Sequence, residues 1–218
     1  MHIHKLSEEN SILNAFIAEI RDVNIQKDRM RFRRNLERIG EVLAYELSKK
    51  LHYSSKEIKT PLGIKQTHAI DDTLVVCSIL RAGLPLHQGI LNYFDWADCS
   101  FISAYRYHTS ETDFEIIVEY LASQDLDNKV LILADPMLAT GQSMLATYEA
   151  LSKVGLPKEI HLVSAIGAQA GIDFLNKRLP DDTQLWIGDI DNTLNDKGYI
   201  IPGLGDAGDL AFGEKLQK

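Results

Sequence analysis

Cysteine is nearly missing from this chain: Cys77 and Cys99 are the only two, and their separation matches no ligand spacing, so neither a disulfide framework nor a cysteine metal site can be built. Both lie in or beside apolar, strand-like residues and read as buried free thiols. The seven histidines, His2, His4, His52, His68, His87, His108 and His161, are scattered and show no metal spacing either. Long apolar runs are missing too. No segment approaches the length of a membrane span, and the opening MHIHKLSEEN lacks the basic-then-apolar order of a secretion signal, so a cytoplasmic protein is expected. Positive charge is in deficit: 23 Lys and Arg stand against 31 Asp and Glu, giving a net charge of -8 that favours solubility and disfavours general nucleic-acid binding. There is no internal repeat, low-complexity tract or linker. The 218 residues, 45% of them hydrophobic, are therefore expected to form one domain, 1–218, around one sizeable core.

What the chain does have is alternation. SILNAFIAEI and the segment 28–50 carry helical spacing, the second with Leu36, Ile39, Leu43 and Leu47 on one stripe. Both are expected to precede the sheet. Within 57–70, Pro61 and Gly63 separate two short alternating runs, which suits a hairpin or mobile arm better than a core strand. Thereafter TLVVCSI, CSFISAY, KVLILAD, EIHLVSAI and QLWI read as strands, and 86–94, 143–154 and 169–177 as helices. This order predicts an α/β fold: a mainly parallel sheet flanked by helices, with N-terminal helices and a β arm. FEIIVEYL has no helix after it and is expected as an excursion beside the sheet.

The stretch VLILADPMLATGQSM, residues 130–144, carries the chemistry. Its first five residues are continuously apolar, the mark of a strand buried on both faces. Then come Asp135, a loop of small residues including Ala139 and Gly141, the hydroxyls of Thr140 and Ser143, and a helix whose first amides lack internal partners. A loop of this kind, at the carboxyl end of a parallel strand, can wrap a phosphate with backbone N–H groups, helped by the helix dipole. It is not a Walker loop, since no Gly-Lys-Ser/Thr follows the glycine, and there is no Gly-x-Gly-x-x-Gly run. Taken alone, ATGQS also fits a plain strand-to-helix turn with a good N-cap.

The wider context narrows the choice. DPMLATG, together with ILRAG at 79–83, Tyr105 and Arg106, and GYIIPGLGDAGD at 198–209, closely resembles the uracil phosphoribosyltransferase family, whose fold is the type I phosphoribosyltransferase fold. The likeness runs from Arg21 and Asp22 through Phe32, Arg33, Tyr45 and Glu46 to Phe212 and Gly213. The resemblance implies transfer of the 5-phosphoribosyl group from phosphoribosyl pyrophosphate (PRPP) to uracil, giving UMP and pyrophosphate. It implies that Asp135, Pro136, Met137, Leu138, Ala139, Thr140, Gly141, Gln142 and Ser143 bind the ribose and its 5′-phosphate. Arg81 and Arg106 would contact pyrophosphate, a role that suits a permanently charged, forked donor. The backbone near Ile200, Gly205 and Ala207 would read the edge of uracil, with Asp206 beside both the base and PRPP. Asp135 and Asp206 are the catalytic candidates implied, Asp135 holding ribose hydroxyls and Asp206 assisting metal or proton handling. Mg²⁺ is expected to arrive mainly with PRPP, and no protein metal site is expected. The expected partners are uracil and PRPP and further copies of the chain, assembled through the early helices or the arm around Pro61; neither membrane nor nucleic acid is expected.

Three departures from the family pattern stand out. Gln142 replaces a glycine in the phosphate loop, which is mild if the residue has helical φ and costly if φ is positive. Pro85 also replaces a glycine and is expected to begin a helix. HTS after Tyr107 replaces the usual acidic pair. The basic run Arg29, Arg31, Arg33, Arg34 and Arg38 winds around a helix and reads first as a solvated or subunit-facing surface. The rival readings are a pyrimidine-responsive RNA-binding regulator, or a ligand sensor without catalysis, on the same fold.

Overall fold

A computed structural model describes residues 1–108 and 114–216, with 104–108 and 114–118 as backbone only. In chain order the elements are β1 His2–Lys5, α1 Ile12–Arg21, α2 Arg29–Ser48, β2 Tyr53–Thr60, β3 Gly63–Ile70, β4 Leu74–Leu80, α3 Leu84–Leu91, β5 Asp98–His108, β6 Phe114–Ala122, β7 Val130–Ala134, β8 Met137–Leu138, α4 Gln142–Leu151, β9 Glu159–Ala168, α5 Gln169–Asn176, β10 Gln184–Asp191, β11 Thr193–Leu194, β12 Ile200–Ile201 and α6 Ala207–Phe212. The main sheet runs β1-β10-β9-β7-β4-β5-β6, with β8 added against the end of β9. Every pairing in it is parallel except β5 with β6.

Period-two alternation explains why the central strands are apolar throughout. In β4, Leu74 and Val76 face α1, α2 and α3, while Val75 and Cys77 face α4 and α5; in β7, Val130, Ile132 and Ala134 take the first face and Leu131 and Leu133 the second. Burial pushes the Cys77 thiol up to about 12, so it is an inert core side chain. On the first face α2 and α3 touch backbone to backbone. A Cβ on Gly89 would collide with the Glu37 carbonyl, and one on Gly40 with that of Leu86, so the crossing needs both glycines. The helices start where their caps fall: Ser11 and Asn14 form a capping box on α1, and Asp28 accepts from the Arg31 N–H at 3.1 Å on α2.

Three expectations change. FEIIVEYL is not an excursion beside the sheet but its antiparallel edge strand, pairing with β5 from Phe101 to His108; an antiparallel partner needs no crossover helix. A strand, β1, precedes the early helices and pairs with β10 at the opposite edge. The segment around Pro61 is a regular hairpin whose pairing begins at Tyr53, four residues earlier than Glu57. That arm stands largely exposed, with Leu62 fully accessible at its tip. Pro85 lies in the first turn of α3, as its fixed φ allows. Among the described residues, no helix is long and apolar enough to cross a membrane.

Candidate active site

The carboxyl ends of β4, β7 and β10 converge on one side of the sheet, and three loops meet there. The first is 135–141. Asp135 donates its N–H to the Val163 carbonyl at 3.1 Å, the Pro136 carbonyl accepts from Ala165 and Ile166 at 3.1 and 3.0 Å, and β8 continues along β9, so the loop is stitched to the neighbouring strand as it leaves the sheet. The Asp135 carboxylate accepts from the Met137 N–H at 3.3 Å. Gly141 then turns the chain with φ +80, where a Cβ would also lie 2.9 Å from the Gly171 carbonyl. From the other side, a Cβ on Gly171 would collide with the Ala139 carbonyl. The loop is thus braced against α5 by two glycines.

Helix α4 begins directly after this turn, and no side chain caps it. The N-cap is Gly141 itself, so the first-turn N–H groups lack a side-chain acceptor at the cap, and a small cavity of about 30 Å³ beside them is lined by Asp135, Met137, Leu138, Ala139, Thr140, Gly141, Ser143 and Met144. Two residues of the expected set, Pro136 and Gln142, are in the loop but not on the pocket wall. Gln142 is the first residue of α4, so its φ is helical and its side chain is not strained by the turn. Its Oε1 is buried with no hydrogen-bond partner among the described residues.

Arg81 leads the second loop, directly after β4 and the cis Leu80–Arg81 peptide. Gly83 lets this loop fold back, since a Cβ there would meet the Ala134 carbonyl at 2.9 Å. The Arg81 Nη2 donates to Asp209 Oδ1 at 3.2 Å and to the Gly213 carbonyl at 3.1 Å, which ties the end of β4 to α6. Arg106 lies on β5 opposite Ile116; its side chain, with those of Tyr105, Tyr107 and His108, lies outside the description, as do Thr109 and Ser110 entirely.

The third loop is the C-terminal motif. Ile200 pairs with Leu194 in a small antiparallel ladder, Pro202 follows a cis peptide, and Gly203 and Gly205 have φ +57 and +97. Asp206 caps α6 by accepting from the Asp209 N–H at 3.0 Å, with Lys215 at 3.5 Å from its other oxygen. The side chains of Ile200 and Ala207 are buried, so both present backbone alone. Gly205 and Asp206 share a second pocket with Gln26, Lys27, Arg29, Leu204, Asp209, Leu210 and Glu214. Sequence reasoning missed Gln26, Arg29 and Asp209 as neighbours of this loop; Asp209 ended the quoted motif, and Arg29 stood in the basic run.

Most of that basic run is spent within the molecule. Arg31 pairs with Glu19 at 2.5 Å, Arg34 with Glu37 at 2.6 Å, Arg33 donates to the Ala211 carbonyl at 2.6 Å, and Arg38 donates to Asn35 at 3.1 Å. Hydrogen bonds from Arg31 and Asn35 hold the Glu19 carboxyl down at about 2. The arginines of this helix surface are thus largely engaged by neighbouring groups of the same chain.

A mainly parallel sheet with a small-residue loop after an acid at the end of a central strand, and with an arginine and a glycine-rich loop on the same side, is the arrangement expected of a phosphoribosyltransferase. The family model for uracil phosphoribosyltransferase matches residues 7–214. A uracil phosphoribosyltransferase of Porphyromonas gingivalis is 52% identical over 216 residues, covering 99% of this chain and all of that one. One of Methanothermobacter thermautotrophicus is 38% identical over 94% of this chain and 93% of its own. The solved structure of the AQ2163 protein from Aquifex aeolicus superposes with a TM-score of 0.87 at 29% identity, over 98% of this chain and 99% of that one. The chain belongs to the uracil phosphoribosyltransferase family.

Proposed function

We propose that this protein, acting as one domain, transfers the 5-phosphoribosyl group of PRPP to uracil, releasing UMP and pyrophosphate. The observation that carries this reading is the uncapped start of α4 behind Asp135, a ready-made seat for the 5′-phosphate. In the reaction a uracil ring nitrogen bonds to the anomeric carbon, the carbon–oxygen bond to pyrophosphate breaks, and the ring nitrogen loses its proton. Charge then grows on the departing pyrophosphate and on the ribose. Arg81 and Arg106 answer the first; Asp135 holds the ribose hydroxyls and answers the second.

Asp206 is committed to capping α6, so its part is to set the loop beside the base and to offer its second oxygen to PRPP or its metal. The backbone of Ile200, Gly205 and Ala207 pairs with the edge of uracil. A Mg²⁺ arriving with PRPP would be held mainly by substrate oxygens, with the carboxylates of Asp135 and Asp206 as the protein groups nearest to it in this reading. Such an ion would supply charge neutralisation on the departing pyrophosphate, beside the guanidinium of Arg81. The protein works in the cytoplasm as a homo-oligomer, and the exposed apolar residues of the arm, Ile58, Leu62 and Ile64, support that assembly.

The test is direct. Purified protein with uracil, PRPP and Mg²⁺ is expected to form UMP and pyrophosphate in equal amounts, and light scattering is expected to give a mass above one chain. Absence of UMP under these conditions overturns the enzymatic reading.

A further inference from the structure

The C-terminal loop is held from behind by an ion pair that begins in α1. Arg21, the last residue of that helix, donates from Nη1 to Asp191 Oδ2 at 2.8 Å and to the Gly203 carbonyl at 3.1 Å. From Nη2 it donates to Asp191 Oδ1 at 3.1 Å and to Asp189 Oδ2 at 3.0 Å. Asp191, the last residue of β10, accepts in turn from the Gly203 N–H at 3.2 Å. One ion pair therefore grips both polar groups of a single glycine. The Arg21 and Asp191 side chains are only 18% and 8% exposed, so water competes weakly for them.

Gly203 is the residue where such a grip matters. Its N–H belongs to the peptide plane before it and its C=O to the plane after it, so holding both fixes the only two soft dihedrals between the planes. Its φ is +57, and a Cβ there would collide with the Ile200 carbonyl, so glycine is required and brings the widest conformational freedom with it. Two residues further on, the surroundings of Gly205 are open, with no heavy atom within 4 Å of an added Cβ. Leu204 and Ala207 are buried and Asp206 caps α6, so Gly203 is the joint at which 204–207 meets the chain before it.

We propose that Arg21 and Asp191 are positioning residues for base selection: by fixing the two peptide planes at Gly203 they set the register in which the following backbone meets uracil. This rests on the reading of Ile200, Gly205 and Ala207 as the base-binding backbone. Neither residue touches substrate. Arginine is needed because one guanidinium spans two carboxylates and a carbonyl, which an ammonium has no fork to do.

The test compares Arg21→Lys, Asp191→Asn and the direct loop variant Gly205→Val by steady-state kinetics with uracil, cytosine and PRPP varied separately. Losing one charge-assisted bond at the clamp is expected to raise the KM for uracil about tenfold, while the KM for PRPP stays near that of the parent. The double variant Arg21→Lys/Asp191→Asn is expected to be little worse than either single one, because the two act as one unit. If Gly205→Val raises the uracil KM while both clamp variants, folded, leave it unchanged, the clamp is wrong and the base-loop reading stands. If Gly205→Val also leaves it unchanged, both fall. Where one clamp variant folds poorly, amide exchange in the other decides: faster exchange confined to 200–207 supports the clamp, and uniform acceleration that includes β7 overturns it.

Discussion

The guanidinium of Arg81 lies 3.2 Å from the carboxylate of Asp209, joining the residue after β4 to the helix after the base loop. Both side chains are partly exposed, at 42% and 30%, so the pair is worth little by itself. Its importance is competitive. In the proposed reaction pyrophosphate draws on the same guanidinium, and Asp209 adds a negative charge beside it. Asp209→Asn is expected to tighten PRPP binding by up to about fivefold, the size of a surface ion pair, as read by calorimetric titration. Weaker binding would show instead that Asp209 orients Arg81 in the bound state.

Thr140 lines the pocket at the start of α4, the proposed seat of the 5′-phosphate, and among the described residues its hydroxyl makes one long contact, accepting from the Gln142 N–H at 3.5 Å. Thr140→Val keeps the shape and removes a donor. PRPP affinity is expected to fall by about 1–3 kcal/mol, the range for a bond to a charged group, and unchanged affinity would move the phosphate elsewhere. Gln142→Gly is expected to change binding little, because Gln142 already has helical φ and its side chain is off the pocket wall. A large gain in affinity would show that glutamine weakens this loop.

His87 is buried on α3 with its ring 5.1 Å from that of Phe101, and neither ring nitrogen meets a partner among the described residues. Burial pushes its pKa down to about 4. The unfolded chain takes up a proton near pH 6.5 and the folded one only near 4, so His87 contributes stability that is complete above the unfolded pKa and lost as pH falls through this window. The loss is on the order of 3 kcal/mol over the full window. His87→Leu is expected to flatten melting temperature against pH between 4 and 6.5; a slope equal to the parent's would assign the acid sensitivity to other groups.

The centre of the fold was legible because its signals are local and redundant. Val130 to Ala134 are apolar on both faces, and Gly141, Thr140 and Ser143 follow within one loop, so strand, turn and helix start could be read from a single stretch. The edges were not legible in the same way. β1 is four residues long, three of them polar, and α6 has six residues, too few to display a period. FEIIVEYL reads as an excursion because its place in the sheet, as β6, depends on antiparallel pairing with β5, which pattern alone does not specify. Least legible were the contacts that set the base loop: Arg21 and Asp191 are 170 residues apart, and nothing in either neighbourhood announces the other.

Gly205 tests the base loop most directly. An added Cβ there meets no heavy atom within 4 Å, so a side chain is disfavoured by the backbone and not by crowding: φ is +97, where L residues are strained and β-branched ones most of all. Gly205→Val should therefore distort the loop locally. Thr140 and the brace between Gly141 and Gly171 lie on other segments and stay in place, and Arg81, though bonded to Asp209 of α6, is itself anchored at the end of β4. Uracil turnover is expected to fall by about tenfold or more, the cost of forcing an L residue into a left-handed conformation, while equilibrium binding of PRPP alone is nearly unchanged. Equal loss of both would mean misfolding or a shared site. In the unmodified protein, cytosine is expected to be a very poor substrate. Its amino group and unprotonated ring nitrogen reverse part of the edge that uracil offers, and peptide groups held by a folded loop cannot exchange donor for acceptor. Efficient cytosine turnover would remove backbone readout as the basis of selection and send the search to side chains around the second pocket, beginning with Arg29.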